Sequence, residues 1–231
     1  MIADKLAQVH SRIASACAAA GRPVQSVTLL AVSKTFGVDA IAEAHAAGQR
    51  RFGENYVQEA TLKVAALEGL VPRPEWHLIG PIQSNKTRAV ATTFDWVHSV
   101  DRLKVAERLS AQRPAGRAPL SVCLQVNVSG EASKSGLAPA EVRAVARAVA
   151  ALPGLRLRGL MAIPEVVAGG DLAAQRRPFR ALHALFDQLR SDGLALDTLS
   201  AGMSDDLEAA ILEGATMVRI GSAIFGRRPA A

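Results

Sequence analysis

Aromatic residues make up only 4% of this 231-residue chain, so any core it builds must be aliphatic and alanine-rich. No stretch approaches the roughly 18 uninterrupted apolar residues of a membrane-spanning helix, which argues against a membrane partner. There are two cysteines, Cys17 and Cys123, far apart and without metal-ligand spacing. They read as small core residues rather than as a disulfide or a metal site. The net charge is +6, yet no basic run exceeds two arginines and no aromatic residues interleave with them. That pattern describes a solvated, arginine-rich surface and not a nucleic-acid interface. The N-terminus is interrupted by Asp4, Lys5, His10 and Arg12, which is unlike a secretion signal. Its apolar residues Ile2, Leu6, Val9, Ile13 and Cys17 fall at helical spacing, so an amphipathic helix and a cytoplasmic protein are expected.

What the chain does contain is a regular alternation. Short aliphatic or β-branched runs at 27–33, 50–54, 75–79, 96–100, 120–128, 157–163, 197–201 and 217–222 read as strands. Helical patterns fall near 38–48, 55–69, 84–93, 101–112, 139–151, 171–192 and 205–214, with a short tail after 223. Ser84, Asp101, Pro139 with Glu141, and Ser204-Asp205-Asp206 are placed as helix starts. Gly48, Gly193 and Gly214 are placed as helix stops. Eight βα units in one chain of this length predict a closed (β/α)8 TIM barrel with an extra N-terminal helix, one domain spanning 1–231. An open doubly wound sheet would carry a glycine-rich turn after strand one. Here that turn is Ser33-Lys34-Thr35-Phe36-Gly37.

In such barrels the chemistry sits at the C-terminal ends of the strands. Only six of the 27 basic residues are lysines, and three of these (Lys34, Lys86 and Lys134) fall at those ends. A lysine leaving a buried strand either points into water or, desolvated, becomes a carbonyl-attacking amine. After strands seven and eight come Ser200-Ala201-Gly202-Met203-Ser204-Asp205-Asp206 and Gly221-Ser222-Ala223. Glycines let the backbone approach an anion and serines add hydroxyl donors, although Ser204 also reads as a simple N-cap. Arg219 stands between Val218 and Ile220 inside strand eight, where it must pair with a rim carboxylate or face the barrel mouth.

Together these segments resemble a known family. The blocks that carry the resemblance are Ala31-Val32-Ser33-Lys34-Thr35, Arg51 through Glu59, Trp76 through Lys86, Ser133-Lys134-Ser135-Gly136, Arg158 through Pro164, Gly202 through Asp206, and Arg219 through Gly226. In order, and over essentially the whole chain, they resemble the pyridoxal phosphate homeostasis proteins, relatives of the barrel domain of alanine racemases. The resemblance implies pyridoxal 5′-phosphate (PLP) bound as an aldimine on Lys34, with Arg219 facing the pyridine nitrogen. It implies Ser204, Gly221 and Ser222 at the phosphate and Asn55 beside the cofactor. Ala201 replaces a frequent methionine, Ser222 a frequent threonine, and Phe36 a frequent second lysine.

Carbanion chemistry on PLP usually needs a protonated pyridine nitrogen or two placed bases. Arg219 would keep that nitrogen unprotonated. The racemases that this barrel resembles draw a second base, a tyrosine, from a separate C-terminal domain, whereas this chain ends at Ala231 and its only tyrosine is Tyr56. The expectation is therefore a monomeric, non-catalytic carrier that buffers PLP and delivers it to PLP-dependent apo-enzymes. The alternatives are a slow amino-acid racemase and a Schiff-base aldolase on a similar barrel.

Overall fold

Strands of three to seven residues, each buried on both faces, leave the chain one direct solution: close the sheet on itself and cover it with helices. In the computed structural model, which describes residues 1–129, 135–165 and 171–226, this is what the chain does. The strands are β1 (Thr28–Val32), β2 (Arg51–Glu54), β3 (Glu75–Leu78), β4 (Trp96–Val100), β5 (Leu120–Gln125), β6 (Leu155–Met161), β7 (Thr198–Ser200) and β8 (Met217–Ile220). All neighbours are parallel, and β8 returns to β1 through the register Leu30 to Arg219, closing the barrel. The helices are α1 (Ile2–Ala19), α2 (Val38–Ala46), α3 (Val57–Ala66), α4 (Thr87–Thr93), α5 (Leu103–Gln112), α6 (Pro139–Ala150), α7 (Leu172–Ser191), α8 (Leu207–Leu212) and α9 (Ser222–Phe225). Among the described residues, no helix is long and apolar enough to cross a membrane.

The expected elements lie within a few residues of the observed ones, and the differences have local causes. Gly48, Gly193 and Gly214 take φ of 101°, 91° and 92°, the left-handed geometry that ends a helix. Glu141 accepts a hydrogen bond from the Ala138 N–H (2.9 Å) and so fixes the start of α6. Asp101 does not cap α5. Its carboxylate pairs with Arg102, which occupies the N-cap position. Ser204 does not cap α8 either, because the chain makes one more turn and Asp206 takes that place. The tail after 223 is the end of a short helix that begins at Ser222.

Period-two alternation divides the core. Leu29, Ala31, Phe52, Trp76, Val97, Val122 and Leu199 face the helices and merge with the apolar stripes of α1 to α8. Trp96, Cys123 and Met161 form a separate buried cluster, as expected of residues pointing into the barrel. His77 and His98 share that interior, and both are completely buried. A Cβ added at Gly159 of β6 would lie 1.7 Å from the Thr198 carbonyl oxygen, so only glycine lets β6 and β7 approach this closely.

Burial pushes the His77 imidazole below its ordinary value and the His98 imidazole well below it. Below pH 6.5 the unfolded chain therefore takes up protons that the folded chain refuses. Stability should be intact above that pH and fall as pH drops toward the folded-state values. By pH 5.5 the loss should be roughly 1.4 kcal/mol for each histidine that stays neutral. Urea unfolding at pH 7.5 and 5.5 measures it. A flat profile would mean that the rings are not held neutral.

Candidate functional site

A cavity of about 420 Å³ opens at the C-terminal end of the strands. It is lined by Lys34, Asn55, Ser204, Arg219, Gly221 and Ser222, together with Val32, Phe36, Ile79 and Met203. Residues from strand ends far apart in sequence thus meet in one place. Lys86 and Tyr56 do not line it, and Ser133-Lys134 lies outside the described residues. Phe36 fills one wall and stacks on Phe225, with ring centroids 5.1 Å apart.

Lys34 follows β1 and is half-buried. The backbone on both sides of it is clamped. Lys63, on α3, donates to the Ser33 carbonyl (2.9 Å) and to both oxygens of Glu54 (2.9 and 3.1 Å). The Ser33 hydroxyl donates to Glu54 (2.5 Å), and the Thr35 N–H donates to Glu59 (2.7 Å), which in turn meets Lys63 at 2.6 Å. Thr35 takes φ of 69°, unusual for a β-branched residue, and the bond to Glu59 is what holds it there. Burial raises the Glu54 carboxyl, opposed by hydrogen bonds from Ser33 and Lys63. Neither Lys63 nor this clamp is legible from strand-end positions. The available signal is a lysine three residues after Ala60 on the apolar face of α3.

The opposite wall is the loop between β7 and α8. Gly202 takes φ of 95°, and a Cβ there would meet that of Ala210 at 2.7 Å. Asp206 is buried, and its carboxylate accepts the Met203 N–H at 2.5 Å, so it ties down the loop. Only Asp205 of the acidic pair is exposed at the cavity. The Ser204 carbonyl is held from outside by Arg12 of α1 (2.9 Å), which also forms a two-point pair with Glu208 (2.8 and 2.9 Å). The extra N-terminal helix therefore supports this loop, a role its sequence does not reveal. The Ser204 and Ser222 hydroxyls converge to 3.3 Å. The first N–H groups of α9 have no intrahelical acceptor, so hydroxyl and amide donors gather at one spot suited to an anion.

Arg219 is buried, and no carboxylate among the described residues pairs with it. The rim ion pair considered from the sequence is absent there. Instead its Nη1 donates to the carbonyl (2.7 Å) and the hydroxyl (2.8 Å) of Ser200, and its Nη2 to the Ala162 carbonyl (2.9 Å). Burial lowers the guanidinium to about 10, partly opposed by the negative charge of Asp206. It remains a cation at neutral pH, able to donate but not to accept. A half-buried amine, an anion cup and a buried cation at one cavity suit a phosphorylated ring that carries an aldehyde. Among the described residues, no group of three or more histidine, cysteine or acidic side chains could hold a metal ion.

Another opening, of about 540 Å³, lies at the other end of the barrel, and most of its charged side chains are held in ion pairs. Arg51 pairs with Glu75 (3.0 Å) and Arg158 with Asp197 (2.7 Å).

Residues 5–229 match the family model of the alanine racemase N-terminal domain. The chain is 63% identical to a pyridoxal phosphate homeostasis protein of Pseudomonas aeruginosa over 98% of this chain and 96% of that one. It is 54% identical to the protein of the same name in Escherichia coli, covering 98% and 97%. PipY of Synechococcus elongatus, solved with PLP bound, aligns at 40% identity with a TM-score of 0.83 over 98% of this chain and 100% of that one. Alanine racemase of Corynebacterium glutamicum shares the fold (TM-score 0.70) at 19% identity, with this chain covering 62% of its length. On fold and sequence together, the chain belongs to the pyridoxal phosphate homeostasis protein family, built on the alanine racemase N-terminal barrel.

Proposed function

We propose that this protein binds PLP through the Lys34 amine and acts in PLP homeostasis, buffering the cofactor and delivering it to apo-enzymes. The observation that carries the reading is the convergence of Lys34, Ser204, Ser222 and Arg219 on one cavity. PipY, whose structure has been solved with PLP bound, supports it. When bound, PLP supplies an electron-withdrawing pyridine ring and an aldehyde for amines.

In this reading, each of the protein's own groups has a defined task. The Ser33 and Thr35 clamps hold the backbone on either side of Lys34, so the amine is aimed rather than free to swing into solvent. Ser204 and Ser222 donate to the phosphate. Gly221, where a Cβ would lie 3.3 Å from the Val32 carbonyl oxygen, lets the backbone that leads into α9 pack closely on β1. Asn55 lies against the ring, and a Cβ at Gly80 would strike its carbonyl oxygen at 2.3 Å, so its position depends on that glycine. Arg219 donates to the ring nitrogen. Because it stays charged, it opposes protonation of that nitrogen and leaves the ring a poor sink for electrons. That disfavours racemisation and favours storage. We further infer one PLP-binding domain over 1–231, working as a monomer in the cytoplasm, where the buried thiols Cys17 and Cys123 stay reduced.

Two outcomes follow. Ser204→Ala and Ser222→Ala each remove one donor to a charged phosphate, a loss of roughly 1.5–3 kcal/mol, or about tenfold or more in PLP affinity. Titration of cofactor-free protein, read by absorbance, measures this. Unchanged affinity in both variants would put the phosphate elsewhere. The loaded protein should also restore activity to an apo-form of a PLP-dependent enzyme while exchanging the α-proton of L-alanine hardly at all. Fast racemisation by the wild type would overturn the carrier reading.

A further inference from the structure

A second set of polar groups runs down the barrel axis, away from the cavity. The Ser200 hydroxyl that accepts from Arg219 lies 2.7 Å from His98 Nδ1. His98 Nε2 lies 2.9 Å from His77 Nδ1, and His77 Nε2 lies 2.8 Å from Glu75 Oε1. Glu75 also accepts from Arg51 at the opposite end of the barrel. Between the two ends, Ser200, His98 and His77 are each 0% exposed, so these bonds are shielded from bulk solvent.

The carboxylate end fixes the direction of every bond. Arginine can only donate, so the Ser200 oxygen accepts from it, but a hydroxyl oxygen has a second lone pair. The direction is set from Glu75, which requires Nε2–H on His77 and hence on His98, so the Ser200 proton turns toward His98 Nδ1. A neutral ring that accepts at Nδ1 carries its proton on Nε2, so His98 donates to His77 Nδ1. His77 repeats the pattern and donates from Nε2 to Glu75, which as a carboxylate can only accept. Burial alone would raise the Glu75 carboxyl, but His77 and Arg51 hold it below its ordinary value, so it is ionised. Burial likewise keeps both rings neutral. Reversing the two rings would leave the His77 Nε2 lone pair against the Glu75 carboxylate, a buried acceptor facing an acceptor.

We propose that His98 and Ser200 are positioning residues for Arg219. In this arrangement the single-polarity chain Arg219–Ser200–His98–His77–Glu75 anchors the guanidinium and leaves its uncommitted N–H groups for the cofactor ring. The bonds to Ser200 and Ala162 engage Nη1 twice and Nη2 once, which leaves part of the guanidinium's donor capacity for a ligand. If Ser200 loses its acceptor, its hydroxyl can rotate, and the charge opposite the ring nitrogen is held less tightly. This inference rests on the PLP reading above.

The chain's direction is tested on cofactor-free protein by 15N NMR with labelled histidine. Both His77 and His98 should be Nε2–H tautomers, and an Nδ1–H form of either overturns the chain. Its effect on Arg219 is tested on PLP-loaded protein by the absorption spectrum across the neutral and acidic pH range. Wild type should show one unchanging band. Ser200→Ala and His98→Leu should introduce a titration of the ring. His98→Asn keeps an acceptor where Nδ1 was and should restore the unchanging spectrum. Ser200→Ala, the smaller change, carries the test if His98→Leu does not fold. A normal band that titrates in none of the variants overturns this inference alone. A wild type that forms no band with PLP overturns the functional reading and this inference with it.

Discussion

The mouth of this barrel is organised by a buried guanidinium that no carboxylate among the described residues pairs with. Removing a cation from water costs several kcal/mol even after the surroundings relax. The protein offsets that cost with hydrogen bonds to Ser200 and Ala162, aided by the nearby negative charge of Asp206. The choice has consequences. In the PLP reading proposed above, a carboxylate in that position would favour a protonated ring nitrogen, whereas a committed arginine opposes it. To keep Arg219 there, β6, β7 and β8 must stay in register, Gly159 must allow β6 and β7 to touch, and Gly202 must turn to accept the Arg219 N–H (2.9 Å).

Around that centre, separate supports converge on the cavity walls. The Glu54–Lys63–Glu59 cluster braces Lys34 from beneath α3. Arg12 braces the Ser204 loop from α1. Asp206 braces the same loop from within. These groups are charged, at least partly buried, and directed at backbone atoms, which is how a scaffold holds side chains in place without contributing chemistry itself. Packing also gives Phe36 a defined place. It lies against Phe225 and closes a wall instead of adding a charge.

The parts that are legible in the sequence are those with a local cause. Strands such as Thr28–Val32 and Met217–Ile220 carry their own β-branched, buried pattern, and Gly48, Gly193 and Gly214 mark helix ends through a backbone geometry only glycine takes easily. Arg219 is legible as a site candidate because a charge between Val218 and Ile220 breaks the strand pattern. Ser204 reads wrongly as a cap because three consecutive polar residues can each cap a helix, and only tertiary contacts choose Asp206. Lys63 with Glu59 reads as an ordinary i,i+4 surface pair on one helix, since its second partner, Glu54, sits on a strand. The His98–Ser200 contact joins residues 102 positions apart, and no local pattern in either strand announces it.

The central claim is that Lys34, rather than any of the other lysines, is the amine that takes the cofactor. Incubation with PLP, reduction with borohydride and peptide mapping by mass spectrometry tests it most directly. The expected result is a single pyridoxyl-phosphate label on the peptide that contains Lys34, and its loss in Lys34→Ala. A label on Lys63, Lys86 or Lys134 instead, or labelling spread over several lysines and unchanged by Lys34→Ala, would contradict it.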